Sequence, residues 1–361
     1  MVRLVQPESP NEFLVQLHPT ERCNLACRHC YRRERARREL PLSRIGEILS
    51  DIAGALDTWR TDYGVDFRPR LQLAGGEPFL RRDIFKLIDL AKKRGFGVSI
   101  LTNGTLVADS IADALASAGV DLVQISLEGG EATHDAIRGP GAFESAAAAA
   151  RRLADRGVFV SLNATLSRLN AKEIEEAIDS GRRSGASWMS FSRLVPSGAG
   201  IDLADLILEP EELKGIYVYL AARTDPHVEI VSRDPLVGLL EDHDRASTHS
   251  GDIAVGGCNA GVAAITVLPD GAAMACRRLG IEIGNILETP FRKLWTESPL
   301  LWALRSRDGY RGRCGVCERW AICRGCRAVA LALSAKDGRP DPLADDPQCW
   351  YDLGARSHKS S

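Results

Sequence analysis

Cys23, Cys27 and Cys30 stand in the run Arg22-Cys23-Asn24-Leu25-Ala26-Cys27-Arg28-His29-Cys30-Tyr31. Three thiolates at this C-x-x-x-C-x-x-C spacing can hold three corners of an iron-sulfur cube, and no fourth cysteine lies nearby. One iron is then left open to a substrate or cofactor, much as a catalytic zinc site differs from a structural one by its vacancy. The spacing therefore points to a catalytic site. A zinc site lacking its fourth ligand and a disulfide framework are the bland alternatives.

The chain has ten cysteines: three at positions 23 to 30, none between 31 and 257, and seven between 258 and 349. With no basic stretch followed by an apolar core at the N-terminus and no uninterrupted apolar stretch of membrane-spanning length, the expected location is the cytoplasm. In that reducing compartment so many thiols argue for metal rather than disulfides. At 361 residues and 45% apolar composition the chain can bury a large core unaided, and a net charge of −2 gives no reason to expect nucleic acid or an anionic membrane as partner. A local basic run, Arg28, Arg32, Arg33, Arg35, Arg37 and Arg38, reads first as a solvated loop and second as a dock for an acidic electron donor.

These residues need a scaffold, and the intervening pattern supplies one. Strands are predicted over 13–18, 70–74, 98–101, 122–126, 158–162 and 188–192, alternating with helices over 42–56, 84–93, 109–118, 143–156 and 171–184. Such alternation implies a parallel sheet with right-handed crossovers. Glycine-rich and polar motifs follow each strand: the cysteines, Gly75-Gly76-Glu77-Pro78, Thr102-Asn103-Gly104, Ser126-Leu127-Glu128-Gly129, Asn163, then Arg193 with Pro196. The fold class expected is α/β, a partial (β/α)6 TIM-like barrel whose strand ends line one cavity. The alternation is expected to stop after 196–200. A helix over 210–222, a hairpin turning at Pro269-Asp270-Gly271 and a helix over 291–305 follow. The domains expected are an extension over 1–12, the barrel over 13–200, a bridging helix and linker over 201–257, a cysteine-rich α+β domain over 258–352 and a tail over 353–361.

On these motifs the chain resembles the radical S-adenosylmethionine (SAM) superfamily, and its tail resembles the SPASM extension, over about residues 13 to 352. The resemblance implies a 4Fe-4S cluster on Cys23, Cys27 and Cys30, with SAM chelated at the open iron and cleaved to methionine and a 5′-deoxyadenosyl radical that abstracts hydrogen from a substrate. Gly75 and Gly76 let backbone approach a ligand closely, and Glu77 takes the SAM ammonium. His29 falls where the family has an aromatic near the adenine. Ser126 and Glu128 fall where the ribose or carboxylate is touched, although the family more often has aspartate at 128. Arg138 pairs with the SAM carboxylate, Asn163 completes the polar wall, and Thr102 and Asn103 serve either as a strand-end turn or as ligand contacts.

In the tail, Cys314, Cys317, Cys323 and Cys349 match the outer auxiliary cluster of the SPASM pattern, and Cys258, Cys276 and Cys326 match the inner one. Cys323 and Cys326 are separated by two residues where the family usually has three. The inner set lacks a fourth cysteine, so the expectation is an open iron or a non-cysteine ligand, Asp252 before His249. A pair of zinc ribbons is the structural alternative. The function expected is an oxidoreductase or maturase acting first on a peptide or protein side chain and alternatively on a tetrapyrrole side chain in anaerobic heme biosynthesis. A non-catalytic iron-sulfur or zinc scaffold is the competing class. The partners implied are a reductant such as flavodoxin or ferredoxin and, as only 22 residues precede Cys23, a separate peptide-recognition protein.

Overall fold

The protein is seen in a computed structural model that describes residues 3–4, 11–32, 37–240, 252–336 and 338–353. After the short strand β1 (Arg3–Leu4), the chain runs through β2 (Glu12–Leu17), α1 (Leu42–Tyr63), β3 (Arg68–Leu73), α2 (Ile84–Lys92), β4 (Gly97–Thr102) and α3 (Asp109–Ala118). It continues with β5 (Leu122–Ser126), α4 (Glu131–Arg138), α5 (Ala142–Ala154), β6 (Val160–Leu166), α6 (Ile174–Arg183) and β7 (Trp188–Arg193). Strands β2 to β7 pair in parallel, neighbour to neighbour, and form the expected partial barrel. Phe13, Val15 and Leu17 of β2 are buried while the residues between them are half-exposed, the period of two that a sheet covered on one face requires.

The alternation does not stop at 196–200. Helix α7 (Pro210–Ala222) leads to β8 (Glu229–Ser232), which pairs in parallel with β7, and β1 pairs in parallel with β8. A strand of four residues carries too little periodicity to stand out in sequence, which is why the segment read as linker.

The tail joins the same sheet. The expected hairpin forms as β9 (Ala264–Val267) and β10 (Ala272–Met274), with β11 (Glu282–Asn285) antiparallel beyond it. The other edge of β9 lies parallel to β2, with Leu14 opposite Ala264 and Leu17 opposite Val267. Among the described residues one sheet of eleven strands results, and the first cysteine loop leaves a strand flanked by barrel on one side and tail on the other. The helix expected over 291–305 is two helices, Phe291–Glu297 and Pro299–Arg305. Pro299 has no N–H to continue the first, and the Ser298 hydroxyl accepts from Leu301 N to begin the second. Phe291 and Trp295 pack edge-on against Phe13 at 5.5 and 4.9 Å between ring centres, and Trp59 of α1 closes the group. Among the described residues no helix is long and apolar enough to cross a membrane.

Candidate functional site

The loop leaving β2 is seated on the end of β3. Gly76 N donates to the Thr20 carbonyl at 3.0 Å and Glu77 N to the Arg22 carbonyl at 2.8 Å. A Cβ on Gly76 would overlap the Arg22 carbonyl, and one on Gly75, whose φ is +116°, would overlap that of Thr20. The close approach that demands two glycines is here to the cysteine loop itself.

Glu77 is fully buried and turned toward its own chain. Its carboxylate accepts from Thr102 Oγ1 at 2.9 Å, Asn103 N at 2.9 Å and Phe79 N at 3.3 Å. Burial outweighs these bonds and raises its pKa to about 7. Thr102 and Asn103 thus join the ends of β3 and β4. The Asn103 amide also donates to Asn24 Oδ1 at 2.9 Å and reaches Cys23 Sγ at 4.0 Å.

A second group closes on Cys27. Arg138, the last residue of α4, donates Nε and Nη2 to Glu128 Oε1 at 2.8 and 2.5 Å and points Nη1 at Cys27 Sγ, 3.8 Å away. His29 Nε2 lies 3.1 Å from the same Glu128 oxygen, and Thr165 N donates to Oε2 at 2.7 Å. Glu128 is buried, but the charges of Arg138 and His29 and the hydrogen bonds outweigh that burial and hold its carboxyl well below the usual range. Glu128 and Arg138, expected to meet a ligand separately, are each other's partner. Ser126 lies opposite Asn163 in register, and the Asn163 amide contacts Ser190 and Ser192 of β7.

A third group was not legible. His18 Nδ1 lies 3.0 Å from Glu21 Oε1, Arg32 Nη1 donates to the Glu21 carbonyl at 2.5 Å, and Arg277 Nη2 is 3.6 Å from Glu21 Oε2. Burial would raise the Glu21 carboxyl, yet the His18 hydrogen bond and the nearby charges of Arg277 and Arg32 hold it at about 2. The Arg277 guanidinium also stands 5.7 Å over the Tyr31 ring, so the residue after Cys276 touches the residue after Cys30. Of the basic run, Arg32 is thus buried, and Arg37 ties the loop to the tail through Asp270 and Glu282. Arg33 and Arg35 lie outside the described residues.

Four of the tail cysteines lie together. Cys314, Cys317, Cys323 and Cys349 wall one small cavity together with Trp320, Leu236 and Leu239. Cys326, Cys276 and Cys258 lie near enough to Arg278 for thiolate charge on them to raise its pKa, against the effect of burial. Donors face the sulfurs: Arg327 Nη2 at 3.8 Å from Cys314, Arg319 N at 3.4 Å from Cys317 and Gly325 N at 3.3 Å from Cys323. Among the described residues no three His, Cys, Asp or Glu side chains converge tightly enough for a single metal ion. Four thiols around one hollow, three of them faced by N–H donors, suit a cluster better than zinc, which draws four donors to about 2.3 Å or less from one point.

Asp252 is 78% exposed and faces Arg307, whose other donors hold the carbonyls of Gly315 and Cys317 on the outer set. His249 lies outside the described residues. The shortened spacing between Cys323 and Cys326 is met by two successive left-handed residues, Arg324 and Gly325, both at φ 60°. Arg193, at the end of β7, clasps barrel to tail: Nε meets Asp234 at 2.5 Å, and Nη1 and Nη2 meet Asp346 at 3.0 and 2.8 Å. The Asp346 carboxylate in turn accepts from Cys326 N at 2.8 Å. These partners are too far apart in sequence for any local signal to pair them.

Comparison with known proteins follows the same division. A sequence model of the radical SAM superfamily matches residues 17–181, and one of the SPASM iron-sulfur cluster-binding domain matches residues 258–327. AdoMet-dependent heme synthase of Nitratidesulfovibrio vulgaris is 30% identical over 364 residues, covering 97% of this chain and 95% of that protein. Mycofactocin maturase MftC of Mycobacterium tuberculosis is 31% identical over 332 residues, covering 90% and 80%. Among solved structures, Streptococcus suis SuiB bound to its precursor peptide SuiA aligns over 94% of this chain and 76% of that one, with a TM-score of 0.70 at 18% identity.

Proposed function

The chain belongs to the radical SAM superfamily and carries a C-terminal SPASM domain, and from this premise we propose that it oxidises a carbon on a tetrapyrrole side chain, with the substrate held between the Cys30 and Cys276 loops. The observation that supports this reading is the contact of Arg277 with both Tyr31 and Glu21, which joins the segment after Cys276 to the loop that carries Cys30. A 4Fe-4S cluster with SAM supplies one-electron cleavage of SAM to methionine and a 5′-deoxyadenosyl radical. The residues present fit that group: three thiols on one loop, a fully packed glycine seat beneath it, and N–H donors at Cys23 and Cys27.

In this reading Asn103 and Arg138 stabilise negative charge on the sulfurs of Cys23 and Cys27, and Glu128 with His29 fixes the Arg138 fork. Glu77 keeps one acceptor site for the SAM ammonium, and Ser126 and Asn163 offer hydrogen bonds along the adjoining wall. Cys258, Cys276 and Cys326 hold the inner auxiliary cluster, and Cys314, Cys317, Cys323 and Cys349 the outer one. A small flavodoxin or ferredoxin is the natural source of the electron.

The tetrapyrrole reading draws on the similarity to heme synthase over nearly the whole of both chains. A peptide or protein side chain is the second reading, supported by the equally high identity to MftC; it brings with it a separate peptide-recognition protein. The test is anaerobic reconstitution followed by dithionite, SAM and either a panel of iron porphyrin carboxylates or candidate precursor peptides. Expected are 5′-deoxyadenosine from the wild type, none from Cys27→Ala, and from Cys317→Ala a residual yield without substrate conversion. No 5′-deoxyadenosine from fully loaded wild type would favour the scaffold reading over the enzymatic one. Normal conversion by Cys317→Ala would make the outer cysteines merely structural.

A further inference from the structure

Arg193 ends β7 on the face of the barrel where strand-end motifs were expected to line a cavity. It is turned toward the tail instead, with its side chain 1% exposed. Nη1 and Nη2 donate in parallel to Asp346 Oδ1 and Oδ2 at 3.0 and 2.8 Å, Nη1 also reaches Gln348 Oε1 at 3.0 Å, and Nε meets Asp234 Oδ2 at 2.5 Å. Asp346 has more donors on it. Oδ1 accepts from Gln348 N at 3.1 Å and Oδ2 from Cys326 N at 2.8 Å, so each oxygen takes two donors, the pattern of an ionised carboxylate. The same residue touches both ends of the cysteine-bearing tail. Its backbone carbonyl accepts from Cys349 N at 3.0 Å, and a Cβ on Gly325, between Cys323 and Cys326, would lie 2.5 Å from Asp346 Cβ.

One guanidinium is therefore shared by two buried carboxylates, which leaves a net negative charge in a place that water does not screen. The potential of an iron-sulfur cluster follows the net charge and hydrogen bonding around its thiolates. The Asp346 carboxylate is bonded directly to the Cys326 backbone, and the Arg193 guanidinium is bonded to that carboxylate. We propose that Arg193 and Asp346 are a positioning pair that sets the reduction potential of the auxiliary cluster held by Cys326. The carboxylate makes reduction harder and the guanidinium makes it easier. A residue at the strand end of the barrel thereby controls how readily the tail takes up an electron. The proposal rests on the reading, given above, of the tail thiols as cluster ligands.

The test is an EPR-monitored redox titration of the anaerobically reconstituted full-length protein carrying Cys23→Ala, Cys27→Ala and Cys30→Ala, so that only tail clusters contribute. The potential displaced by Cys326→Ser marks the cluster in question. Asp346→Asn keeps the side-chain shape and removes one negative charge; at a fixed potential the reduced-to-oxidised ratio should rise about tenfold, which is about 59 mV for one electron. Arg193→Met should lower the ratio by a similar factor, and Arg193→Lys, which keeps the charge but not the fork, should hold it within about threefold. Opposite shifts from the two partners are the signature of charge, because water admitted by loosened packing would move both the same way. Shifts of the same sign overturn the proposal, as does a change under about twofold in Asp346→Asn. Iron content and circular dichroism establish folding and loading. Where Asp346→Asn or Arg193→Met fails to load, Asp234→Asn removes the carboxylate on the far side of the guanidinium and should raise the ratio about threefold; no rise overturns the proposal equally. Absence of any tail-cluster signal removes the cluster reading and the proposal with it, whereas intact signals at unmoved potentials remove the proposal alone.

Discussion

Glu77 has no ion-pair partner among the described residues, so its three hydrogen bonds must work against complete burial, and burial prevails. Its carboxyl titrates at about 7 in the folded protein against an ordinary 4.5. The folded state therefore holds an extra proton between those two values, and stability falls as pH rises through that window before levelling off above it. The loss amounts to on the order of 3 kcal/mol. Thermal unfolding from pH 5 to 8 at constant cluster loading should show the wild type declining relative to Glu77→Gln, which has no proton to lose there. Parallel curves would mean that the carboxyl ionises as readily folded as unfolded. The chemistry of Glu77 was legible in Gly75-Gly76-Glu77-Pro78 as a strand-end acid. Its engagement by Thr102 and Asn103 was not, because those donors arrive from the next strand.

At the scale of elements, the glycine pair after β3 and the arginine after β7 each hold a neighbouring segment in place. Gly76→Ala puts a methyl into the Arg22 carbonyl, and the backbone there has no flexible side chain to move aside. The substitution should cost on the order of 1–3 kcal/mol and displace the cysteine loop. Iron per chain should fall by about one cluster's share while the signals of the auxiliary clusters persist; unchanged iron content would show that the loop tolerates the shift. Arg193→Met removes the cation that two buried carboxylates share, at a cost of about 3–5 kcal/mol. Urea unfolding of the anaerobic protein measures it, and a change below about 1 kcal/mol would leave the clasp without energetic weight. In sequence Arg193 was visible only as a polar residue after a strand. Its partners Asp234 and Asp346 lie at the end of β8 and deep in the tail.

At the scale of the whole molecule, barrel and tail share one sheet and one core, since β9 covers the edge of β2 and Phe291 and Trp295 pack on Phe13 and Trp59. A fragment ending at residue 257 would expose the β2 edge and that aromatic face together, and it should aggregate on expression, as size-exclusion chromatography will show. A monomeric, well-folded fragment would mean that the barrel stands alone. The sequence by itself determined the kind of chemistry, because cysteine spacing is local and the strand-end motifs recur with the βα period. It also determined the six barrel strands. Only the tertiary structure decided what those motifs touch. The glycines seat the cysteine loop, Glu128 and Arg138 face each other, and Asp252 pairs with Arg307. Each of these is a contact between different elements, set by sheet order and packing, and no local pattern encodes it. The structure therefore returns to Cys23, Cys27 and Cys30 as a loop gripped from both sides, by Gly76 and Arg138 of the barrel and by Arg277 of the tail.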